Sequence, residues 1–196
     1  MTTLYKVLNK DGSAFHGGAG SWFLPHGNRP GKWMPRITNP TPCTRGYHVL
    51  KPEMLIHWLG PAIFAVEVRG KGVWEEAKGV VEQARLLRRL DTWNEQTARL
   101  FACDCAERVM HRAKDKRDVN AILVERRYAF GLATQKELAA GWATAGGAAW
   151  AAAGGAGWGA GWTAERSWQT IRLFQYLNGE VDLAAMLAKL ESGVRG

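Results

Sequence analysis

The sequence predicts an α+β protein: a small mixed α/β domain over residues 1–90, followed by an α-helical bundle over residues 91–196. Alternating apolar residues within the first ninety positions are typical of strands. Beyond residue 91, two Thr-x-x-Glu capping boxes and apolar residues at helical spacing indicate helices. The helical part also contains an Ala/Gly/Trp-rich stretch, residues 138–164, in which no residue is charged.

The first domain begins with a predicted strand over residues 4–8, which runs into a turn that Asp11 and Gly12 favour. Residues 17–46 are rich in Gly and Pro, so we expect a loop with short strands whose aromatic side chains attach it to the core. The further elements are expected in this order: a short strand over 47–50, a helix from Pro52 to Leu59, a strand over 62–68, and a segment over 80–90 that fits either a strand or a helix.

The second domain is predicted to be helical, with a polar linker over residues 111–117, and four of its helices have a recognisable start. Ser, Thr, Asp and Asn side chains accept hydrogen bonds from the first backbone N–H groups of a helix. The expected helices are one over 93–112 capped at Thr92, one capped at Asp118 that ends at Gly131, one that starts at Thr134, one over 164–177, and one capped at Asp182.

The Ala/Gly/Trp-rich stretch carries an eight-residue repeat marked by Trp142, Trp150 and Trp158. Eight residues advance a helix by two turns plus about 80°, so these rings do not form one straight ridge. Eight Gly residues weaken any isolated helix here. We therefore expect the stretch to be packed, inside the bundle or at an interface between copies of the chain; two short helices broken at a Gly pair are an alternative.

Charge favours an anionic partner. The chain has 26 Lys and Arg against 18 Asp and Glu, a net charge of +8. Residues 1–71 hold 9 basic and 3 acidic residues, a net +6. A basic excess suits nucleic acid or an acidic protein surface. The three Cys residues fit a reducing cytoplasm. We predict no signal peptide. We predict no membrane span either, because residues 138–164 gain little from lipid.

Candidate contact residues are the basic clusters and two Trp residues in the Gly/Pro-rich loop. Clustered cations bind phosphates, and exposed aromatic rings stack on bases or insert into protein partners. Solvated helix faces and core attachment are the alternative interpretations. The candidates are Arg85, Arg88, Arg89, Arg112, Lys114, Lys116, Arg117, Arg126, Arg127, Trp22, Trp33 and Arg36.

No motif indicates catalysis. Cys103 and Cys105 point about 200° apart on a helix, so they are expected to be buried structural thiols. The five His residues are scattered, and His48 is expected to lie half-buried on a strand. Residues 17–20, a Gly-rich run, lack the remaining features of a phosphate-binding loop. The sequence therefore predicts a binding protein without a metal or a cofactor, rather than an enzyme.

Two parts of the chain resemble known families. Residues 4–90, with LYKVLNKDGS, CTRGYHVL and AIFAVEVRG, resemble a small domain common in phage and prophage proteins. Residues 99–177, with RLFACDCAERVM and AERSWQTIRLFQYL, resemble a helical segment of phage and bacterial proteins, some of them immunity proteins. Neither family brings a known activity, and the resemblance implies a mobile-element origin, where small proteins that bind and disable host defence machinery are common.

A further resemblance concerns residues 46–68, a strand–helix–strand similar to the middle of ADP-ribosyltransferase folds. Those enzymes use a His or Arg on their first strand, and residues 4–7 supply neither. We therefore expect a non-enzymatic accessory protein that binds and inhibits or modulates a host macromolecular complex, in the manner of anti-CRISPR proteins. Direct nucleic-acid binding is the first alternative, and an ADP-ribosyltransferase-like enzyme is the second.

Overall fold

The computed structural model describes residues 3–18, 20–109, 116–144 and 160–193. The chain divides into two compact units, residues 1–93 and residues 94–196. The first unit holds all the named strands and the second unit holds helices, which confirms the mixed α+β class for the described residues. The first unit contains β1 (Leu4–Leu8), β2 (Tyr47–Val49), α1 (Pro52–Leu55), β3 (Ala62–Trp74) and β4 (Gly79–Arg89).

The four strands form one antiparallel sheet in the order β1-β3-β4-β2. The sheet curls until its two edge strands meet, since Tyr5 and Leu50 exchange backbone hydrogen bonds of 2.8 and 2.9 Å. β4 resolves the ambiguous segment 80–90 as a strand, because it pairs with β3 on one side and β2 on the other.

Two predicted elements of this unit have different lengths in the structure. β3 continues to Trp74, beyond the predicted residue 68, because a tight turn over 75–78 lets it pair with all of β4. α1 ends at Leu55 and not at Leu59. The N–H groups of His57 and Trp58 bond three residues back, so the chain leaves the helix through tighter turns.

One face of the sheet encloses the main core of the first unit. Phe64, Leu86, Val49 and Leu8 are almost fully buried there. The Gly/Pro-rich loop closes this core, because the N–H groups of residues 31, 34 and 37 bond to carbonyls along the edge of β4. Trp22 packs into the same cluster, which confirms that the loop is attached to the core by an aromatic side chain.

The second unit contains five described helices: α2 (Glu95–Val109), α3 (Lys116–Ala129), α4 (Gln135–Thr144), α5 (Ala160–Leu177) and α6 (Leu183–Glu191). α3 packs between α2 and α4, and α5 packs on α2. The predicted starts at Thr134 and Asp182 are confirmed by side-chain hydrogen bonds to the N–H groups of Glu137 and Ala185. The predicted end near Gly131 is confirmed by its positive φ of 74°.

Two predicted helix starts are wrong. α2 begins at Glu95, because Asn94 and Thr97 cap each other's backbone N–H groups. Trp93 therefore precedes the helix and donates its indole N–H to the carbonyl of Gly60, in the first unit. Asp118 lies within α3, which already includes Lys116, so the helix does not start after Asp118.

The Ala/Gly/Trp-rich stretch is described only at its ends, within α4 and α5. At Gly141, an added Cβ would lie 3.6 Å from Val124, so α4 approaches α3 closely at a small residue. The predicted repeat of Trp142, Trp150 and Trp158 lies outside the residues whose side chains the structure describes.

Candidate functional site

The cationic candidates of the first unit lie on β4 and on the loop along its edge. Arg85 forms an ion pair of 2.6 Å with Glu67, its cross-strand neighbour. The guanidinium carbons of Arg85 and Arg69 lie 4.7 and 4.0 Å from the ring centroid of Trp33. Trp33 is half-buried, and two cations surround it. The structure therefore brings Trp33 and Arg85 together, as part of a positively charged aromatic cluster.

Arg36 lies on the same loop and remains exposed over 65% of its side chain. It donates hydrogen bonds of 2.8 and 3.1 Å to the carboxylate of Glu82, which is buried on β4. These hydrogen bonds lower the pKa of Glu82. Arg36 thus anchors the loop and still presents a guanidinium edge to solvent.

Arg88 and Arg89 are neighbours at the end of β4. Arg88 is exposed, opposite Ala65 in the register with β3. The Nε of Arg89 lies 3.5 Å from the carboxylate of Asp91. Arg88 is the more accessible of the two for an anionic partner.

Trp22 requires a correction as a contact residue. It is 9% exposed and belongs to the core, where it packs edge-on against Tyr47 at a centroid distance of 5.4 Å. The ammonium of Lys6 lies 5.2 Å from the Trp22 ring. Trp22 is therefore a structural residue and offers no free ring to a partner.

Arg126 requires the same correction in the second unit. Its Nη2 lies 2.6 Å from Asp104 and 2.7 Å from Glu107, and its side chain is 13% exposed. Arg127 is exposed, and it donates a hydrogen bond of 3.1 Å to the carbonyl of Leu132, in the turn after α3, so it remains accessible to a partner. Arg126, in contrast, supports the helices. Lys116 and Arg117 lie at the start of α3 with side chains outside the described part, and Arg112 and Lys114 lie outside the described residues.

Sequence reasoning missed the centre of this ion network, Asp104. Its carboxylate is 8% exposed and accepts hydrogen bonds from Arg126 on α3 and from Arg172 and Tyr176 on α5, at 2.6, 2.7 and 2.8 Å. Asp104 thereby joins three helices. No local sequence signal identifies it, because its partners are far away along the chain.

The thiols beside Asp104 are buried, as predicted. Burial raises the pKa of Cys103 and of Cys105 to about 12, so both remain protonated thiols at neutral pH. In the part of the chain that the structure describes, no group of three His, Cys, Asp or Glu residues is arranged to hold a metal ion.

Sequence reasoning also missed an exposed apolar hairpin. Residues 22–31, here called the apolar hairpin, turn at His26 and Arg29, which exchange backbone hydrogen bonds of 2.9 and 3.0 Å. Phe23 and Leu24 are 47% and 42% exposed on it. The ammonium of Lys32 lies 5.9 Å from the Phe23 ring centroid.

The apolar hairpin holds its shape because its two arms approach closely. A Cβ at Gly31 would collide with the backbone carbonyl of Phe23. On the other side, a Cβ at Gly12 would lie 3.0 Å from the Leu24 side chain. The exposed Phe23 and Leu24 are thus presented on a well-supported backbone. The sequence signal was the Pro-His-Gly-Asn-Arg-Pro turn between two apolar positions.

Comparison with family models, with curated proteins and with solved structures finds no match for this chain. The resemblance to phage and immunity proteins therefore stays a prediction. None of the helices in the described part of the chain has both the length and the apolar character of a membrane span.

Proposed function

We propose that this chain is a cytoplasmic binding protein of mobile-element origin that attaches to a host protein complex and inhibits or modulates it. The observation that carries the proposal is the apolar hairpin, on which Phe23 and Leu24 are exposed beside the cation of Lys32. A few residues that fill well-packed pockets of the partner carry most of the energy of protein–protein binding. A rigid loop also loses little conformational entropy when a partner covers it.

The charge of the first unit defines the kind of partner. Residues 1–93 hold 13 basic and 7 acidic residues, a net +6. Two exposed cations, Arg36 and Arg88, lie outside the apolar hairpin in the same unit. An acidic surface with an apolar pocket complements this combination, because opposite charges guide the encounter and the apolar contact holds it.

The helical unit supplies support in this proposal. We infer that its helices form a bundle in which the Ala/Gly/Trp-rich stretch packs, since Asp104 already ties α2, α3 and α5 together. Contacts between copies of the chain through that stretch belong to the same proposal.

The test is capture of a partner from a nuclease-treated bacterial lysate, with mass spectrometry as the readout. We expect the wild-type chain to retain a defined protein complex and the Phe23→Ser, Leu24→Ser double variant to lose it. The matched control is Leu123→Ser on α3, a change at another exposed apolar residue, which should retain the complex. Equal retention by the double variant and the wild type contradicts the proposal.

Direct nucleic-acid binding is the second candidate function, and the exposed Arg88 favours it. It predicts an affinity for DNA or RNA that falls steeply with salt, because each neutralised phosphate releases a counterion. Charge reversal at Arg88 should weaken binding of a labelled oligonucleotide in an anisotropy titration. An affinity that is the same at low and at high salt excludes this function.

A further inference from the structure

A small pocket lies where the two edge strands of the sheet meet. Its volume is about 260 Å³, and it is lined by side chains from β1, β2 and the turns around them. Phe15 and Trp58 contribute aromatic rings to the lining, and two cations, Lys6 and Lys78, also line the pocket. No carboxylate lines the pocket among the described residues, so its charge is positive.

Lys6 is the unusual member of this lining. It lies on the core-facing side of β1, opposite Phe64 in the register with β3. Burial lowers the pKa of its ammonium to about 8. In the described part of the chain, its ammonium contacts the Trp22 ring and has no oxygen acceptor. Lys6 is half-buried, and a partly desolvated ammonium without an acceptor is costly, so an anion in the pocket would relieve that cost.

Lys78 is held in place by contacts with neighbouring side chains. Its ammonium donates to the sulfur of Cys43 at 2.7 Å, lies 3.8 Å from Glu75, and is 5.6 Å from the Trp58 ring centroid. Cys43 itself has a left-handed backbone with φ of 60°, and its N–H donates to the Nε2 of His48 at 3.1 Å. The turn thus fixes the position of the second cation.

The pKa of His48 is affected by the positive charges of the pocket. Burial, and then the charges of Lys6 and Lys78, lower its pKa, while Glu75 acts weakly in the opposite direction. His48 is therefore neutral at physiological pH and accepts a hydrogen bond from Cys43. The positive charge in the pocket belongs to the two lysines.

We propose that this pocket binds a small organic anion, in which a carboxylate or phosphate group lies between Lys6 and Lys78 and a flat ring contacts Phe15 and Trp58. Charge-assisted hydrogen bonds to two ammonium groups supply the polar recognition. The aromatic walls supply the apolar contact that a concave ligand site requires. The site is independent of the apolar hairpin, since neither Phe23 nor Leu24 lines it.

The test is isothermal titration calorimetry of the full chain with phenyl phosphate, benzoate, inorganic phosphate and phenol. We expect saturable binding of phenyl phosphate or benzoate, no binding of phenol, and weaker binding of inorganic phosphate, which lacks the ring. The stronger of the two aryl anions identifies phosphate ester or carboxylate as the natural group. Failure of both aryl anions to bind, or binding of phenol as strong as theirs, overturns the proposal. Inorganic phosphate binding as tightly as phenyl phosphate overturns the role of the ring.

Lys6→Met is the decisive variant, and Lys10→Met, at an exposed turn, is its control. Loss of a charged hydrogen-bond donor should weaken binding by about 10- to 100-fold in Lys6→Met. Lys10→Met should bind as the wild type does. Equal affinity in Lys6→Met and the wild type, or equal loss in both variants, overturns the proposal. Circular dichroism checks that Lys6→Met is folded, and Lys78→Met provides the same comparison if it is not. The hairpin variants should leave this binding unchanged, so the two proposals fail separately.

Discussion

Replacement of Asp104 by Ala should destabilise the helical unit severely. The carboxylate is almost fully buried and accepts three hydrogen bonds, from Arg126, Arg172 and Tyr176. Its removal leaves two guanidinium groups that are 13% and 23% exposed without their shared counter-charge. Removal of one partner from a buried ion pair costs about 3–5 kcal/mol.

The remaining contacts place the expected loss at the lower part of that range. Arg126 keeps its ion pair with Glu107 at 2.7 Å, and Arg172 keeps a hydrogen bond of 2.7 Å to Gln175. The hydroxyl of Tyr176 loses an acceptor in a buried position, where an unsatisfied donor costs about 1–3 kcal/mol. We therefore expect Asp104→Ala to lower the free energy of unfolding by about 3–4 kcal/mol, allowing for the contacts that persist.

Urea unfolding followed by far-ultraviolet circular dichroism measures this loss. Glu107→Gln is the matched control, because it removes another acidic partner of Arg126 from a position that is 61% exposed. Exposed ion pairs contribute about 1 kcal/mol or less, so the control should lie close to the wild type. A loss below about 1 kcal/mol in Asp104→Ala would refute the reasoning that a buried network holds α2, α3 and α5 together.

Further predictions concern Lys6 and Gly46 of the sheet unit, with Gly131 of the helical unit as a comparison. The pKa of Lys6 is about 8 in the folded chain, below its ordinary value of 10.5, so the folded state binds fewer protons between these limits. The free energy of unfolding of the wild type, measured by urea unfolding, should therefore rise relative to that of Lys6→Met by about 3 kcal/mol between pH 8 and pH 10.5. A difference between the two proteins that does not change with pH contradicts this prediction. Gly46→Ala should cost about 2 kcal/mol or more, because φ is +115° and the new Cβ would lie 2.6 Å from Val80. Gly131→Ala should cost only about 1 kcal/mol, because φ is +74° there but the new Cβ meets open space. Equal shifts of the thermal unfolding midpoint in Gly46→Ala and Gly131→Ala would show that the contact with Val80 is unimportant.

Local rules predicted those parts of the fold that local interactions determine. The strand Leu4–Leu8, the helix starts at Thr134 and Asp182, and the end at Gly131 each depend on residues within four positions. The start of α2 was mispredicted by the same kind of rule. Thr92 with Glu95 and Asn94 with Thr97 are both plausible caps, and only the packing of Trp93 into the first unit selects the second.

Residues whose roles depend on distant partners were not predictable. The sequence predicts a surface cation at Arg126, because its partner Asp104 lies on another helix and nothing in the sequence links them. Lys6 has the spacing of an ordinary strand residue, and its burial follows from the curl of the sheet, which brings β2 against β1. Phe23 and Leu24 look like core residues by type, and only the structure shows that the hairpin exposes them.

The way the sheet closes also matters while the chain is being synthesised. β1 emerges first, yet Leu4 pairs with Val66 and Tyr5 bonds with Leu50, so its partners leave the ribosome much later. Pairings between distant segments form slowly, and an apolar strand that waits for them can associate with other nascent chains. A charge within such a strand counteracts aggregation. By this rule, we expect Lys6, at the centre of β1, to lower the tendency of the unpaired strand to associate with other chains.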